Sequence, residues 1–219
     1  MSDTRTVPLF PLGVVLYPRG PLPLRIFETR YTDMVRRCLR EDAPFGVVQV
    51  HTAAASDGTA TLHRIGTLAR IVDFNPLPDG LLGITCRGEQ RFEVLSVQRQ
   101  DDGLNIGEVR LLPVAPTVPL PPQYAHFVPL LQRVLPELGG LYDPQDSDWE
   151  DADWVGCRMA EVLPLPGVAR QHLLALNDPV QRLGPLAAFL AEAMDEDDED
   201  GDDSEDEDED GEDAPSGRR

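Results

Sequence analysis

The sequence contains no lysine, since all 19 basic residues among its 219 are arginine. This absence excludes a P-loop lysine, a Schiff-base lysine and a Ser–Lys catalytic pair. Cysteine is scarce as well: Cys38, Cys86 and Cys157 form no C-x-x-C pair, and their odd number and wide spacing are typical of a reduced, intracellular protein. No run of about 18 apolar residues occurs, and Pro8 and Pro11 interrupt the apolar amino-terminal segment. We therefore expect no membrane span, no signal peptide and a cytoplasmic location.

Common enzyme motifs are also absent. The sequence has no G-x-S-x-G, G-x-G-x-x-G or H-E-x-x-H. Among the cysteines, Cys38 on a predicted helix and Cys86 in a predicted strand are the least implausible nucleophiles, but buried cysteines are usually inert. We expect a protein that is not an enzyme and that has no cofactor.

Two patterns could suggest a metal site. The histidines lie in separate predicted elements, at positions 51, 63, 126 and 172. Asp146, Asp148 and Glu150 fit positions 1, 3 and 5 of an EF-hand loop, but position 6 is Asp151 instead of glycine and position 12 is Cys157 instead of glutamate. We predict no metal, and we interpret the acidic stretch 143–153 as a solvated linker whose last aspartates cap the next helix.

The first half of the chain has the pattern of a β-sheet. Runs rich in β-branched residues predict strands at 46–51, 61–74, 81–87, 90–98 and 105–112. Asp-Gly pairs at 57–58, 79–80 and 102–103 favour hairpin turns, because glycine adopts positive φ at low cost. Several short strands predict a sheet that curls or closes into a barrel, since closure removes exposed edges.

One helix is predicted inside this β part. Apolar residues recur at helical spacing at positions 27, 31, 34, 35, 38 and 39, and Pro44 ends the helix. The other face carries four arginines, at positions 30, 36, 37 and 40. We interpret them as a solvated face, with an anion or nucleic-acid patch as the alternative.

A second part begins after a proline-rich stretch. Prolines at 113, 116, 119, 121 and 122 precede a change of apolar period from two to 3.6. Helical stripes follow at 124–138, 155–162, 173–176 and 180–194; Asp178 and Pro179 suit a helix start, while Pro129 and Pro185 are expected to bend their helices. We predict an α+β fold with a β-barrel subdomain and one helix at 1–115, a helical subdomain at 116–194 and a tail at 195–219.

The tail is strongly acidic. Residues 195–213 hold 16 of the 39 acidic residues, so residues 1–194 carry 23 acidic and 17 basic side chains, a charge near −6 against −20 for the chain. With no apolar residue in 195–213, the tail is predicted to be disordered. Three roles stay open: a solubilising brush, a contact for a basic partner, or a cover for the protein's own arginine-bearing surface.

The segment PLFPLGVVLYPRGPLPLRIFETRY at 8–31 resembles the opening signature of the substrate-binding amino-terminal domain of ATP-dependent Lon proteases. Further similarity lies in GTLARI (66–71), DGLLGITCRGEQRF (79–92) and RQHLLALNDPVQRL (170–183). The resemblance covers about residues 5–194 and implies a PUA-like β-barrel followed by a small helical bundle. The chain also resembles the corresponding domain of cereblon, but it lacks the paired C-x-x-C motifs of the zinc-bearing ligand domain of cereblon.

The resemblance implies a non-enzymatic module that binds protein or peptide, such as an adaptor in protein quality control. The ATPase and protease units of Lon need lysines that this chain lacks, so we expect binding alone. Unfolded or extended protein segments are the expected partners; an ATP-dependent protease, or a basic protein held by the acidic tail, are further candidates.

The family motif is densest around the predicted peptide-binding residues Arg25, Glu28, Arg30 and Tyr31. The alternative is structural: Arg25 and Glu28 would tie the loop to the helix, and Tyr31 would belong to its buried stripe. An apolar groove between barrel and helices, or an open sheet edge, would hold the peptide.

RNA binding is the alternative function, because PUA-like barrels often handle RNA. The negative charge of the chain and the lack of an arginine stripe with interleaved aromatic residues argue against nucleic acid as a partner. No membrane partner is expected.

Overall fold

The computed structural model describes residues 3–51 and 61–199, with side chains as far as residue 193. This part of the chain forms six strands and five α-helices. The strands are β1 (Thr4–Leu12), β2 (Pro21–Ile26), β3 (Phe45–Val50), β4 (Leu62–Pro76), β5 (Leu82–Arg99) and β6 (Asn105–Leu111). The α-helices are α1 (Thr29–Glu41), α2 (Phe127–Val134), α3 (Ala152–Val162), α4 (Gly167–Ala175) and α5 (Pro179–Glu199). The fold is α+β, as the sequence predicts.

The strands make one sheet in the order β2-β5-β4-β3-β1-β6, and β5 also pairs with β6. Five of the strands, β5, β4, β3, β1 and β6, therefore pair around a closed circuit, while β2 is attached to β5 alone. The pair β1 with β3 is parallel and the other described pairs are antiparallel. The circuit favours the barrel expected from the sequence; its PUA-like character stays a prediction.

Neither β1 nor β2 was predicted, because proline removes a donor from the strand ladder. In β1, Pro8 pairs with Ile106 of β6 before the pairing with β3 begins at Leu9. Pro11 pairs with Val48 of β3 after the pairing with β6 has ended. Each proline thus has a neighbouring strand on one side only. Its ring nitrogen, which has no hydrogen to donate, is tolerated on the side without a neighbour.

A single strand of 18 residues, β5, replaces the two strands predicted at 81–87 and 90–98. Gly88 lies where they join, and a Cβ there would clash with the backbone oxygen of Tyr17. The Gly88 N–H donates to the carbonyl of Gly20 at 2.8 Å, and the Gly88 carbonyl accepts from the N–H of Arg19 at 2.7 Å. Glycine lets the loop before β2 cross the middle of β5.

The predicted turns at 79–80 and 102–103 are confirmed. Gly80 lies between β4 and β5 and Gly103 between β5 and β6, and each has a φ of 83°. The third pair, 57–58, lies outside the described residues.

The helix α1 packs on the sheet through the predicted apolar stripe. Its buried residues are Tyr31, Met34, Val35 and Cys38. Two predicted members of the stripe are exposed: Phe27 is 72% exposed and Leu39 is 39% exposed. The prediction was wrong for Phe27 because the helix begins two residues later, and for Leu39 because it lies at the edge of the stripe.

The predicted stripe at 124–138 is divided into a 3-10 helix (Pro122–Tyr124), α2 and a second 3-10 helix (Leu135–Leu138). Pro129 lies in the first turn of α2, where a backbone N–H needs no intrahelical partner, so the expected bend has no cause there. None of the helices in the described ranges is both long and apolar enough to cross a lipid bilayer.

The predicted start of α5 is confirmed, because Oδ1 of Asp178 accepts from the N–H of Val180 at 2.9 Å. The helix contains Pro185 and continues to Glu199, five residues beyond the end predicted at Met194. The rest of the predicted disordered tail, 200–219, lies outside the described residues.

Buried arginines join the strands to the helices. Arg91 of β5 is 5% exposed, and its Nη1 donates to the carbonyls of Leu174 and Leu176, each at 2.7 Å. Nη2 of Arg158, in α3, donates to the carbonyl of Pro18 at 2.8 Å. The helices are therefore hydrogen-bonded to the β part as well as packed against it.

Candidate functional site

The four predicted peptide-binding residues lie where β2 leads into α1. Arg25 is in β2, Glu28 directly precedes α1, and Arg30 and Tyr31 are in the first turn of the helix. All four line one cavity of about 660 Å³, which we call the α1 cavity. The structure thus brings them together, and their role in binding stays a prediction.

The other walls of the α1 cavity come from strand ends. The closed circuit brings the end of β1, the end of β5 and the start of β6 close to the start of α1, so residues far apart in sequence share one depression. They include Phe10, Val97, Arg99 and Asn105. A concave surface with apolar walls and a few polar groups is the usual form of a binding site.

An aromatic pair forms one wall. The rings of Phe10 and Tyr31 are stacked, with centroids 4.0 Å apart and planes inclined by 17°. Each residue is 7% exposed. Burial raises the pKa of the Tyr31 hydroxyl, so it stays neutral across the physiological range. This wall is a rigid, uncharged surface.

Arg30 is held on three sides. Its Nη1 donates to the carbonyl of Gly103 at 2.8 Å, and its Nη2 lies 2.6 Å from Oε2 of Glu28. The guanidinium carbon lies 4.7 Å from the centre of the Tyr31 ring, within range of a cation–π interaction. Arg30 and Glu28 therefore hold the start of α1 against the β5–β6 turn.

Arg25 points to a different partner from the one expected. It pairs with Asp79 in the β4–β5 turn instead of with the helix. The Arg25 side chain is 61% exposed, and ion pairs this exposed contribute about 0–1 kcal/mol. A ligand carboxylate could replace Asp79 at little cost.

Arg99, the last residue of β5, was missed by the sequence analysis. It is exposed and makes no ion pair within the described ranges. Its guanidinium lies close to that of Arg30, since a Cβ on Gly103 would be 3.0 Å from Nη1 of Arg30 and 3.4 Å from Nη2 of Arg99. One end of the α1 cavity therefore carries two adjacent guanidinium groups.

Two apolar side chains of the cavity face solvent. Phe27 is 72% exposed and Val97 is 43% exposed. An exposed aromatic side chain beside a concave surface marks an interaction site more strongly than a scattered apolar residue does. Phe27, which was expected in the core, is thus part of the candidate site.

A second cavity, of about 450 Å³, lies between the sheet and residues 139–146, near the place where the sequence suggested a groove. Two of its arginines have partners within the chain: Arg87 pairs with Asp146, and Nη1 of Arg19 lies 3.7 Å from Oδ2 of Asp148. These pairs hold the helical part against the sheet and leave less charge for a ligand than the α1 cavity does.

The cysteines considered as nucleophiles are buried. Burial raises the pKa of Cys86 to about 12 and also raises the pKa of Cys38, so both thiols are protonated at neutral pH. Within the described ranges, no three His, Cys, Asp or Glu side chains are grouped so that they could hold a metal ion.

Residues 6–192 match the family described as the ATP-dependent protease La (LON) substrate-binding domain, and the chain belongs to this family. The crystal structure of a Lon N-terminal domain protein from Xanthomonas campestris is similar, with a TM-score of 0.70 and 36% identity over 84% of this chain and 98% of that chain. The N-terminal domain of Lon protease from the Mycobacterium avium complex has the same fold, with a TM-score of 0.63 at 15% identity.

Two similar proteins are longer than this chain, which matches a part of each. Lon protease of Phenylobacterium zucineum is 28% identical over 89% of this chain, which corresponds to 26% of that protease. Protein cereblon of Danio rerio is 31% identical over 62% of this chain, which corresponds to 32% of cereblon. The chain thus spans about a quarter to a third of the length of these relatives.

The cavity residues that the sequence analysis missed lie at strand ends far from α1 in sequence. Arg99 is directly opposite Asn105 in the β5–β6 pair. The Asp-Gly turn at 102–103 predicts that these two residues face each other. Nothing local to them indicates that closure of the sheet brings them to α1, about 70 positions earlier in the chain.

Proposed function

We propose that the chain is a non-enzymatic module that binds extended segments of other proteins in the α1 cavity. Membership of a substrate-binding family supports protein binding in general. The α1 cavity is supported by one observation above the rest: the exposed Phe27 lines the same cavity as the stacked rings of Phe10 and Tyr31. Aromatic surfaces of this kind supply much of the binding energy at protein interfaces.

An open sheet edge is the other binding mode that the sequence suggested, and β2 offers such an edge. Pro21 and Pro23 alternate along it, and proline in a sheet lies where its missing N–H faces away from the paired strand. The free edge then lacks donors at both positions. Strand addition depends on backbone hydrogen bonds, so we favour the cavity over the edge.

The same family membership supports a proposal about the wider role. We propose that the chain acts as an adaptor in protein quality control and presents unfolded segments to an ATP-dependent protease. The PUA-like barrel at 1–115, the helical subdomain at 116–194, the disordered tail and a cytoplasmic location belong to this proposal. Protonated cysteines and the absence of lysine from the sequence support binding without catalysis.

RNA binding has weaker support. Most of the exposed arginines expected to form a basic patch are paired with carboxylates, as Arg36 is with Asp33 and Arg40 with Glu41. Paired arginines add little net positive potential, and affinity for a phosphate backbone depends on that potential.

The test compares two phenylalanines of similar exposure. Phe27→Ser changes the α1 cavity, whereas Phe74→Ser changes a 58% exposed residue of β4 that does not line it. Binding of fluorescently labelled, reduced and carboxymethylated α-lactalbumin, a permanently unfolded protein, is measured by anisotropy. We expect Phe27→Ser to weaken binding about tenfold or more, the effect of one phenylalanine leaving a buried contact, and Phe74→Ser to bind like the unchanged protein. Unchanged binding by both variants would refute the proposal.

A further inference from the structure

We infer that the α1 cavity selects segments in which a carboxylate and an apolar side chain are separated by one residue. This inference rests on the proposed function and specifies the chemistry of its ligand. Charge complementarity and the spacing of two side chains on β5 carry it.

The charge at one end of the cavity is positive. Arg30 has Glu28 as its ion-pair partner, at 2.6 Å, while Arg99 beside it has no carboxylate within 4.0 Å in the described ranges. Asp102, in the same turn, forms no ion pair with Arg99 in the described ranges, and its Oδ1 accepts from the N–H of Leu104 at 2.8 Å. One guanidinium group is therefore available to a ligand anion.

Among the unmodified side chains of a protein segment, the carboxylates of Asp and Glu are the anions that this site fits. A planar guanidinium binds a carboxylate through two parallel hydrogen bonds, and Arg99 is exposed enough to present both donors. Asn105 lies directly opposite Arg99 and also lines the cavity, so its amide offers a further donor to the same group.

The spacing comes from β5. Val97 and Arg99 are two residues apart and both line the cavity, whereas Gln98 between them does not. Alternate residues of a strand share one face, with side chains about 7 Å apart. An extended ligand places its own alternate side chains at the same spacing. Its apolar side chain would contact Val97 and Phe27 while its carboxylate reaches Arg99.

The acidic tail of the chain does not meet this requirement. Residues 195–213 provide 16 carboxylates but no apolar side chain. The tail would satisfy Arg99 and leave the apolar wall uncovered. A partner segment that carries both groups is therefore the occupant that we assign to the cavity.

The experiment uses the full chain and short peptides that carry an uncharged dye and an amidated carboxyl end. The parent peptide contains Phe-Ser-Asp between Gly-Ser flanks. Three variants replace Asp by Asn, replace Phe by Ser, or move Asp next to Phe. A fourth lacks Asp and ends in Phe-Ser with a free carboxylate, which separates a side-chain carboxylate from a terminal one. Binding is measured by anisotropy at low and physiological salt.

We expect the parent peptide to bind about tenfold more tightly than the Asn and the shifted variants, the usual effect of a charge-assisted hydrogen-bonded pair. Arg99→Gln should abolish this preference. Arg133→Gln, at an exposed arginine of α2 that makes no ion pair in the described ranges, should keep it. Tight binding of the fourth peptide would assign the site to chain ends instead of internal acidic residues.

The two proposals fail differently. Equal binding of the parent and Asn peptides, or a preference that survives Arg99→Gln, would overturn the inference while leaving the α1 cavity as a site for apolar segments. Loss of binding only on replacement of Phe, with no effect of Phe27→Ser, would overturn the proposed site itself.

Discussion

Arg158 and Glu161 form an ion pair in the interior of the helical part. Nε of Arg158 lies 2.9 Å from Oε2 of Glu161, one turn further along α3, and the Arg158 side chain is 1% exposed. The hydroxyl of Tyr142 donates to the same oxygen at 2.9 Å. Burial raises the pKa of Glu161 to about 7, although the nearby Arg158 opposes the rise.

Replacement of Arg158 by methionine should lower the free energy of unfolding by about 3–5 kcal/mol at pH 8, because it leaves Glu161 buried without its partner. The loss should be smaller at pH 5. The pKa of Glu161 is higher in the folded chain than in the unfolded chain, where it is near 4.5. The stability that protonated Glu161 contributes is therefore present below about pH 4.5 and is lost as the pH rises through the folded pKa. Removal of Arg158 raises that folded value further.

Urea denaturation of the unchanged and Arg158→Met proteins at pH 5 and pH 8 measures both effects. Arg133→Met, which removes an exposed arginine, is the control and should change stability by less than about 0.5 kcal/mol. Equal losses at the two pH values would contradict the role given to Glu161.

A second prediction concerns the crossing at Gly88. Gly88→Ala should destabilise the fold by about 1–3 kcal/mol, since the added methyl group meets the backbone of Tyr17, which cannot move aside as a side-chain end can. Gly13→Ala is the matched control, because a Cβ there has no atom within 4 Å. Thermal unfolding compares the two, and similar melting temperatures would show that the loop before β2 is not held against β5.

The stacked histidines at the ends of β3 and β4 predict a pH effect. The rings of His51 and His63 have centroids 3.7 Å apart, and burial together with the nearby His51 lowers the pKa of His63. The unfolded chain, with a pKa near 6.5, then binds the proton more readily than the folded one. The contribution of neutral His63 is present above about pH 6.5 and is lost as the pH falls.

When the pH is lowered from 7.5 to 5.5, the His63→Gln protein should therefore lose less stability than the unchanged protein. The exposed His172, changed to glutamine, should leave the pH dependence as it is. The test is the melting temperature of the three proteins across this pH interval. If the melting temperatures of all three fall in parallel as the pH falls, the histidine pair is not a source of acid sensitivity.

The acidic residues beyond the described helix should slow the capture of acidic ligands. Residues 200–219 carry 11 acidic and two basic side chains. A full-length variant with amides in place of those 11 carboxylates should bind the Phe-Ser-Asp peptide several-fold faster at low salt, because repulsion at long range is reduced. The advantage should disappear at about 0.15 M salt, where charges more than about 8 Å apart are screened. Stopped-flow anisotropy measures the rates; equal rates at low salt would contradict this role.

The sequence predicted the elements whose residues follow one local rule. The strands β3, β4 and β6 and the turns at Gly80 and Gly103 follow from β-branched runs and Asp-Gly pairs. The strands β1 and β2 could not be found this way. Pro8 and Pro11 in β1 are tolerated only where a neighbouring strand has ended, and Pro21 and Pro23 in β2 are tolerated because β2 pairs with β5 alone. That is a property of the sheet and not of the segment.

The residues of the candidate site also differ in how far the local sequence could indicate them. Arg25, Glu28, Arg30 and Tyr31 are close in sequence, and the structure places them around one cavity. The exposure of Phe27 depends on where α1 begins, which apolar spacing defines only to within a turn or so. The position of Arg99 depends on closure of the sheet, which the spacing of apolar residues along the sequence does not indicate.

The length of β5 has a consequence for how the protein opens. Three strands, β2, β4 and β6, are hydrogen-bonded to it, and the loop before β2 crosses it at Gly88. None of these neighbours can detach alone without exposing part of β5, so the β part is expected to fluctuate as one cooperative unit. Amide protons along β5 are then among the slowest in the molecule to exchange with solvent deuterium, and their protection approaches that set by global unfolding.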